Sequence, residues 1–68
     1  MRIGISEHEG VATFTVGVDQ HVAVQCRVIG GRYFPVFHDP SMVPNWNTAV
    51  GWYPHEAAVA SAITKGLP

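Results

Sequence analysis

Four histidines, a lone cysteine and one His-Asp-x-Ser run are the residues that could do chemistry. A metal needs ligands close together in workable geometry. His8, His21, His38 and His55 are scattered, with no HxH, HxxxH or CxxC spacing among them. No metal or cofactor site is therefore expected. His38 and His55 bracket one long segment, each beside an acidic residue (Asp39, Glu56), and could approach each other. His38, Asp39 and Ser41 are the residue types of a hydrolytic triad. Neighbours in sequence do not give triad geometry, in which the histidine must stand between the other two. No catalytic residue is assigned, and the chain is read as a non-enzyme. Cys26 has no second cysteine to pair with. It falls on the apolar side of its segment and reads as a small core hydrophobe. Gly30-Gly31 reads as a turn and not as a phosphate cradle.

The residues suited to recognition are clearer. Arg2, Arg27 and Arg32 share one sheet face with Phe34. An open sheet carrying arginine and aromatic side chains can stack nucleic-acid bases. A formal net charge of −1 and a pI near 6.4 oppose that use, because nucleic-acid binders show a basic excess. The same face carries Val11, Ala23, Ile29 and Val36, more apolar surface than solubility requires. Trp46, flanked by Asn45 and Asn47, and Tyr53 nearby are side chains of the kind that anchor protein interfaces. Trp52, next to a helix start, is expected to pack against the core. The surface read for a protein partner is thus Trp46, Asn45, Asn47, Tyr53, Phe34, Arg27 and Arg32. Trp46 is its expected anchor.

These residues need a frame. With 47% hydrophobic and 13% charged residues in a 68-residue chain, one domain with a modest core is expected. Four runs have strand periodicity, at about 2–6, 11–18, 22–29 and 32–38. Every strand must turn its apolar set to the same side, and a slip of one residue reverses all of them. This predicts a four-residue loop at 7–10, which pairs Ile5 with Ala12 and Ile3 with Phe14. A loop at 19–21, or another of the same parity, pairs Val16 with Val24 and Phe14 with Cys26. Gly30-Gly31 is a two-residue type I′ turn, which needs positive φ twice. It pairs Val28 with Tyr33, Cys26 with Pro35 and Val24 with Phe37. Pro35 cannot donate to a ladder, so 32–38 is an edge strand.

Residues 39–53 hold two prolines and both tryptophans with no periodicity, and read as a long loop. Residues 54–65 read as a helix, with Pro54 at its first position, an Ala-rich body and a stripe of Val59, Ala62 and Ile63. The fold class is α+β: a four-stranded antiparallel meander with one C-terminal helix across the face of Ile3, Phe14, Val16, Val24, Cys26, Val28 and Phe37. The unpaired first and last strands suit either a homodimer or a monomer completed by a partner. The chain has no membrane-length apolar run and no signal-peptide pattern. With one cysteine it fits a cytoplasmic setting.

The layout of four strands, a loop and a helix in under 70 residues resembles small phage-borne inhibitors such as the anti-CRISPR proteins. Gly31-Arg32-Tyr33-Phe34-Pro35-Val36-Phe37, followed later by Glu56-Ala57-Ala58, is also similar to the strand-then-helix pattern of HicB-type antitoxins. The first resemblance implies a non-enzymatic protein that blocks a nuclease or surveillance complex by occupying its surface. The second implies a regulatory, nucleic-acid-linked role.

Overall fold

The computed structural model describes residues 2–43 and 56–66, without the side chains of Glu56 and Gly66. Four strands, β1 (Ile3–His8), β2 (Val11–Val16), β3 (His21–Ile29) and β4 (Arg32–His38), form one antiparallel sheet in sequence order. Helix α1 (Glu56–Gly66) supplies the second layer. This is the expected α+β meander with its C-terminal helix. No helix among the described residues is long and apolar enough to cross a membrane.

The turns set the register, and two of the three differ from expectation. Glu9-Gly10 is a two-residue turn with φ of 51° and 78°, so β1 runs on to His8. The expected four-residue loop is replaced because a two-residue turn with two positive φ angles matches the twist of the strands. Ile5 consequently faces Phe14 and Ile3 faces Val16. Between β2 and β3 the turn is residues 17–20, with Gly17 and Gln20 at positive φ and the Gln20 N–H donating to the Gly17 carbonyl at 3.3 Å. β2 stops at Val16, and Val18 is 89% exposed, not on the core face. Phe14 pairs with Val24 and Ala12 with Cys26, in place of the expected Val16–Val24 and Phe14–Cys26. Both shifts are of two residues, so each strand keeps its face. Gly30-Gly31 has φ of 57° and 75°, with Val28 opposite Tyr33 and Cys26 opposite Pro35, as expected.

Two irregularities interrupt this alternation. In β3 the pairing steps from Phe14–Val24 to Thr15–Val22, leaving Ala23 as an extra residue. Ala23, assigned to the open face by strict alternation, is instead fully buried; its small side chain fits beside Val24. In β4 the pairing steps from Cys26–Pro35 to Gln25–Phe37, leaving Val36 extra. Cys26–Pro35 is a non-hydrogen-bonded pair, so the missing N–H of Pro35 faces outward, away from β3, and the extra residue follows directly after it. Phe37, expected in the core, therefore lies opposite Gln25 and is 47% exposed.

The core is a single layer. Ala12, Phe14 and Val16 of β2, Ala23, Val24 and Cys26 of β3, and Tyr33 of β4 form one buried cluster with Val59 and Ile63 of α1. Val59 and Ile63 are four apart, one above the other on a helix. The half-buried Ala58 and Ala62 beside them let the backbone lie close. Phe14 meets Tyr33 edge-on, with ring centroids 6.1 Å apart and planes at 67°. Val43 is also buried, with Met42 packed beside it. The segment expected as loop thus begins by contributing to the core.

Two measurements check this packing. Phe14→Ala removes the largest fully buried side chain among the described residues and is expected to cost about 3–5 kcal/mol, enough to unfold a domain this short. Denaturant titration reads it. Burial pushes the Cys26 thiol from 9.0 up to about 11. The native protein, with Cys26 fully buried, should therefore resist a thiol reagent at pH 8 and react only through opened molecules, at the rate of unfolding when the reagent is in large excess. Ionisation of the unfolded thiol alone should lower stability as pH rises from about 9 towards 11.

Candidate functional site

The two irregularities act together at one end of the sheet. By strict alternation His21 and His38 would both point to the outer face. Beyond the extra Ala23, His21 lies opposite Val16; beyond the extra Val36, His38 lies opposite Val24. Both histidines are thereby brought round to the helix side. Asp39 follows His38 and is tied to β3, its N–H donating to the Ala23 carbonyl at 2.9 Å.

Asp39 is the hub of this corner. His21 Nε2 donates to its Oδ2 at 2.5 Å. Its Oδ1 accepts from the Ser41 N–H at 2.9 Å and the Ser41 hydroxyl at 2.7 Å. Its carbonyl accepts from the N–H groups of Met42 and Val43 at 3.0 and 2.9 Å. Asp39 thus caps a tight turn, with Pro40 at the position after the cap, where a missing N–H costs least. The hydrogen bond from His21, then those from Ser41, hold its carboxyl at about 2, below the ordinary 3.8. The arrangement fastens the chain leaving β4 to the start of β3 and carries Val43 into the core.

Chemically this is a clasp. The Ser41 hydroxyl donates to the Asp39 carboxylate, not to a histidine, and a carboxyl held that low is a weak base. Among the described residues no group of three or more His, Cys, Asp or Glu side chains could hold a metal ion. His55, expected near His38, lies outside the described residues. Sequence reasoning places His21 in a loop and misses its contact with Asp39. The two are eighteen residues apart, and they meet only through the extra residue in β3.

The outer face carries the residues expected to recognise a partner. Cross-strand rows run Ser6–Thr13–Gln25–Phe37 and His8–Val11–Arg27–Phe34, with Ile29–Arg32 beyond them. Gln25 Nε2 donates to Thr13 Oγ1 at 3.3 Å. Arg27 and Arg32 are exposed, Phe34 and Val11 half-buried, and Ile29 and Val36 more than half exposed. Arg27 and Phe34 are direct cross-strand neighbours. Ala23 leaves this face and Phe37 joins it. Trp46, Asn45, Asn47 and Tyr53, and also Trp52, lie outside the described residues. At the far corner Gly4, Ile5, Ser6, Thr13, Thr15 and Gln20 line a shallow depression of about 230 Å³. A Cβ on Gly4 would come within 2.7 Å of Thr15 Oγ1.

A clasped four-stranded meander under one helix, with an apolar, arginine-bearing outer face, defines a small α+β module with an open sheet. No family model, curated protein or solved structure matches the chain.

Acid unfolding tests the clasp. A carboxyl held low in the folded state stabilises it above its unfolded value, and that contribution is lost as pH falls through the folded value. Asp39→Asn should lower the melting temperature at neutral pH. The difference from the native protein should shrink between about pH 4 and pH 2 and vanish below, as read by thermal melts across that range.

Proposed function

We propose that this chain is a small non-enzymatic protein-binding module whose contact surface is the outer face of the sheet. The observation that carries the proposal is Phe37. The irregularity beside Pro35 turns this aromatic side chain away from the core and leaves it 47% exposed, close to Phe34 and Val36. Covering a large apolar side chain is worth about 1.5–3 kcal/mol. The free chain forgoes part of that, and a partner lying on the face recovers it. Arg27 and Arg32 add directional hydrogen-bond donors beside the aromatics, the combination enriched at protein interfaces. The layout resembles that of small phage-borne inhibitors, and on that resemblance we propose a partner among host nucleases or CRISPR surveillance complexes of the cytoplasm, blocked by occupation of a surface. On sequence grounds Trp46, with Asn45, Asn47 and Tyr53, is proposed as a further anchor.

One observation favours a second reading. Arg27 lies directly across from Phe34, a pairing that could stack and neutralise a nucleotide, as an antitoxin-like regulator would require. The net charge of −1 weighs against it.

A capture experiment with and without nuclease separates the two. Phe37→Ala and Arg27→Ala should each weaken retention of a protein partner by about 2 kcal/mol, roughly 30-fold. Arg27→Ala, at an exposed position, should change stability by about 0.5 kcal/mol or less, and Phe37→Ala by about 1 kcal/mol, for the half of its area already covered. Capture that disappears with nuclease and falls steeply with salt would replace the first reading with the second.

A further inference from the structure

The two edges of the sheet are built differently, and the difference concerns a surface separate from the outer face. Exposed edges template pairing with another chain, and proteins blunt them with proline, lysine or an irregularity. The β4 edge has two of these devices, Pro35 and the extra Val36. The β1 edge has none. It is a regular six-residue strand, IGISEH, paired without a break to β2. In a two-residue hairpin the flanking pair exchanges both hydrogen bonds, and the direction then alternates. His8, Ser6 and Gly4 therefore turn their backbone groups towards β2. Consistently, the Arg2 carbonyl accepts from the Gly17 N–H at 3.0 Å. Ile3, Ile5 and Glu7 turn theirs outward, where no strand among the described residues pairs with them.

We infer that β1 is a pairing edge and that its occupant is a second copy of this chain, added antiparallel about a two-fold axis at Gly4. Three features of the strand make it complementary to itself. The axis at Gly4 sets Ile3 against Ile5 of the other copy, and Ile5 against Ile3, on the helix side. Ile5 is the one core-side residue of β1 among the exposed large hydrophobics, at 41%, and Ile3 is half-buried. The pairing thus extends the core layer across the axis. Gly4 meets Gly4 on the outer side beside the depression, and with Thr15 Oγ1 within 2.7 Å of where a Cβ would stand, only glycine leaves the two backbones free to approach there. The strand begins beside Arg2 and ends at Glu7-His8, with Glu9 in the turn beyond. Antiparallel addition sets Arg2 against Ser6 of the other copy, whereas parallel in-register addition would stack Arg2 on Arg2 and Glu7 on Glu7. The outward groups of Ile3 and Ile5 then exchange bonds with those of Ile5 and Ile3, and the two sheets become one.

Sedimentation at micromolar and near-millimolar concentration tests this on the full chain. The expected result is a concentration-dependent species of twice the 7.4 kDa chain mass. Ile5→Pro removes an outward N–H and leaves the bonds to β2, since proline is tolerated where the N–H faces solvent. It should weaken the dimer at least about tenfold with the circular dichroism of the fold retained. Should that variant not fold, cysteine pairs decide. Arg2→Cys with Ser6→Cys places thiols directly opposite across the axis and should give a covalent dimer under mild oxidation. Glu9→Cys should give none, because the two turns lie at opposite ends of the paired strands. A monomer at every concentration, a dimer that Ile5→Pro leaves unchanged, or cross-linking through Glu9→Cys would each overturn the inference.

Discussion

A β-strand offers a side chain two directions, and in a one-layer core only one of them is dry. That constraint governs this molecule. Every strand of the meander has to keep its apolar set on the helix side, and every turn has to preserve the parity that does so. The chain then breaks the rule twice, with one extra residue in β3 and one in β4. Each break reverses the facing of the residues beyond it. Ala23 is drawn into the core, Phe37 is sent out of it, and His21 and His38 come round to the side where Asp39 waits. The exposed aromatic face and the polar corner arise from the same two insertions, so neither can be altered independently of the backbone that creates both.

The parts of the structure legible in the sequence are those set by local chemistry. Gly30-Gly31 could serve only a turn with two positive φ angles, and the register of β3 on β4 near it follows directly. Val59 and Ile63 lie four apart on an Ala-rich segment, which marks the buried stripe of α1. The even residues of β2 are readable as the core face. The lengths of the first two turns are not, because a shift of two residues preserves parity and so leaves no trace in the hydrophobic pattern. Glu9 tolerates a positive φ (51°) that its residue type does not advertise. The expected partner surface is legible only in part. Arg27, Arg32 and Phe34 stand on the open face as read, but the arrival of Phe37 depends on the extra residue at Val36. Pro35 marks an edge, and nothing in the residue types beside it marks an insertion. The His21–Asp39 contact is illegible for the same reason, since it exists only after the β3 insertion has turned the histidine over.

The clasp also has an energetic logic. A chain this short buries few residues, and Val43 is among the largest of the fully buried ones. Val43 comes from a stretch with no periodicity, and no strand or helix pattern would deliver it. Asp39 does so through its carbonyl and carboxylate, by fixing a turn whose only regular feature is its cap. A polar side chain that is not itself buried thereby decides whether an apolar one is. Most other contacts of the meander join neighbours in sequence, so the sheet closes few long loops. The tie from β4 back to β3 and the docking of α1 are the longer-range exceptions.

The unequal edges have a consequence for how large an assembly this chain can form. A strand surface that accepts another strand on both sides propagates without limit, which is the geometry of a fibril. Here Pro35 and the insertion beside it close one side of the sheet to addition. In the dimer inferred above both remaining edges are β4, so addition stops at two copies and the arrangement closes as a point group and not as a filament. Under that inference, two local features of the last strand separate a finite particle from an unbounded one.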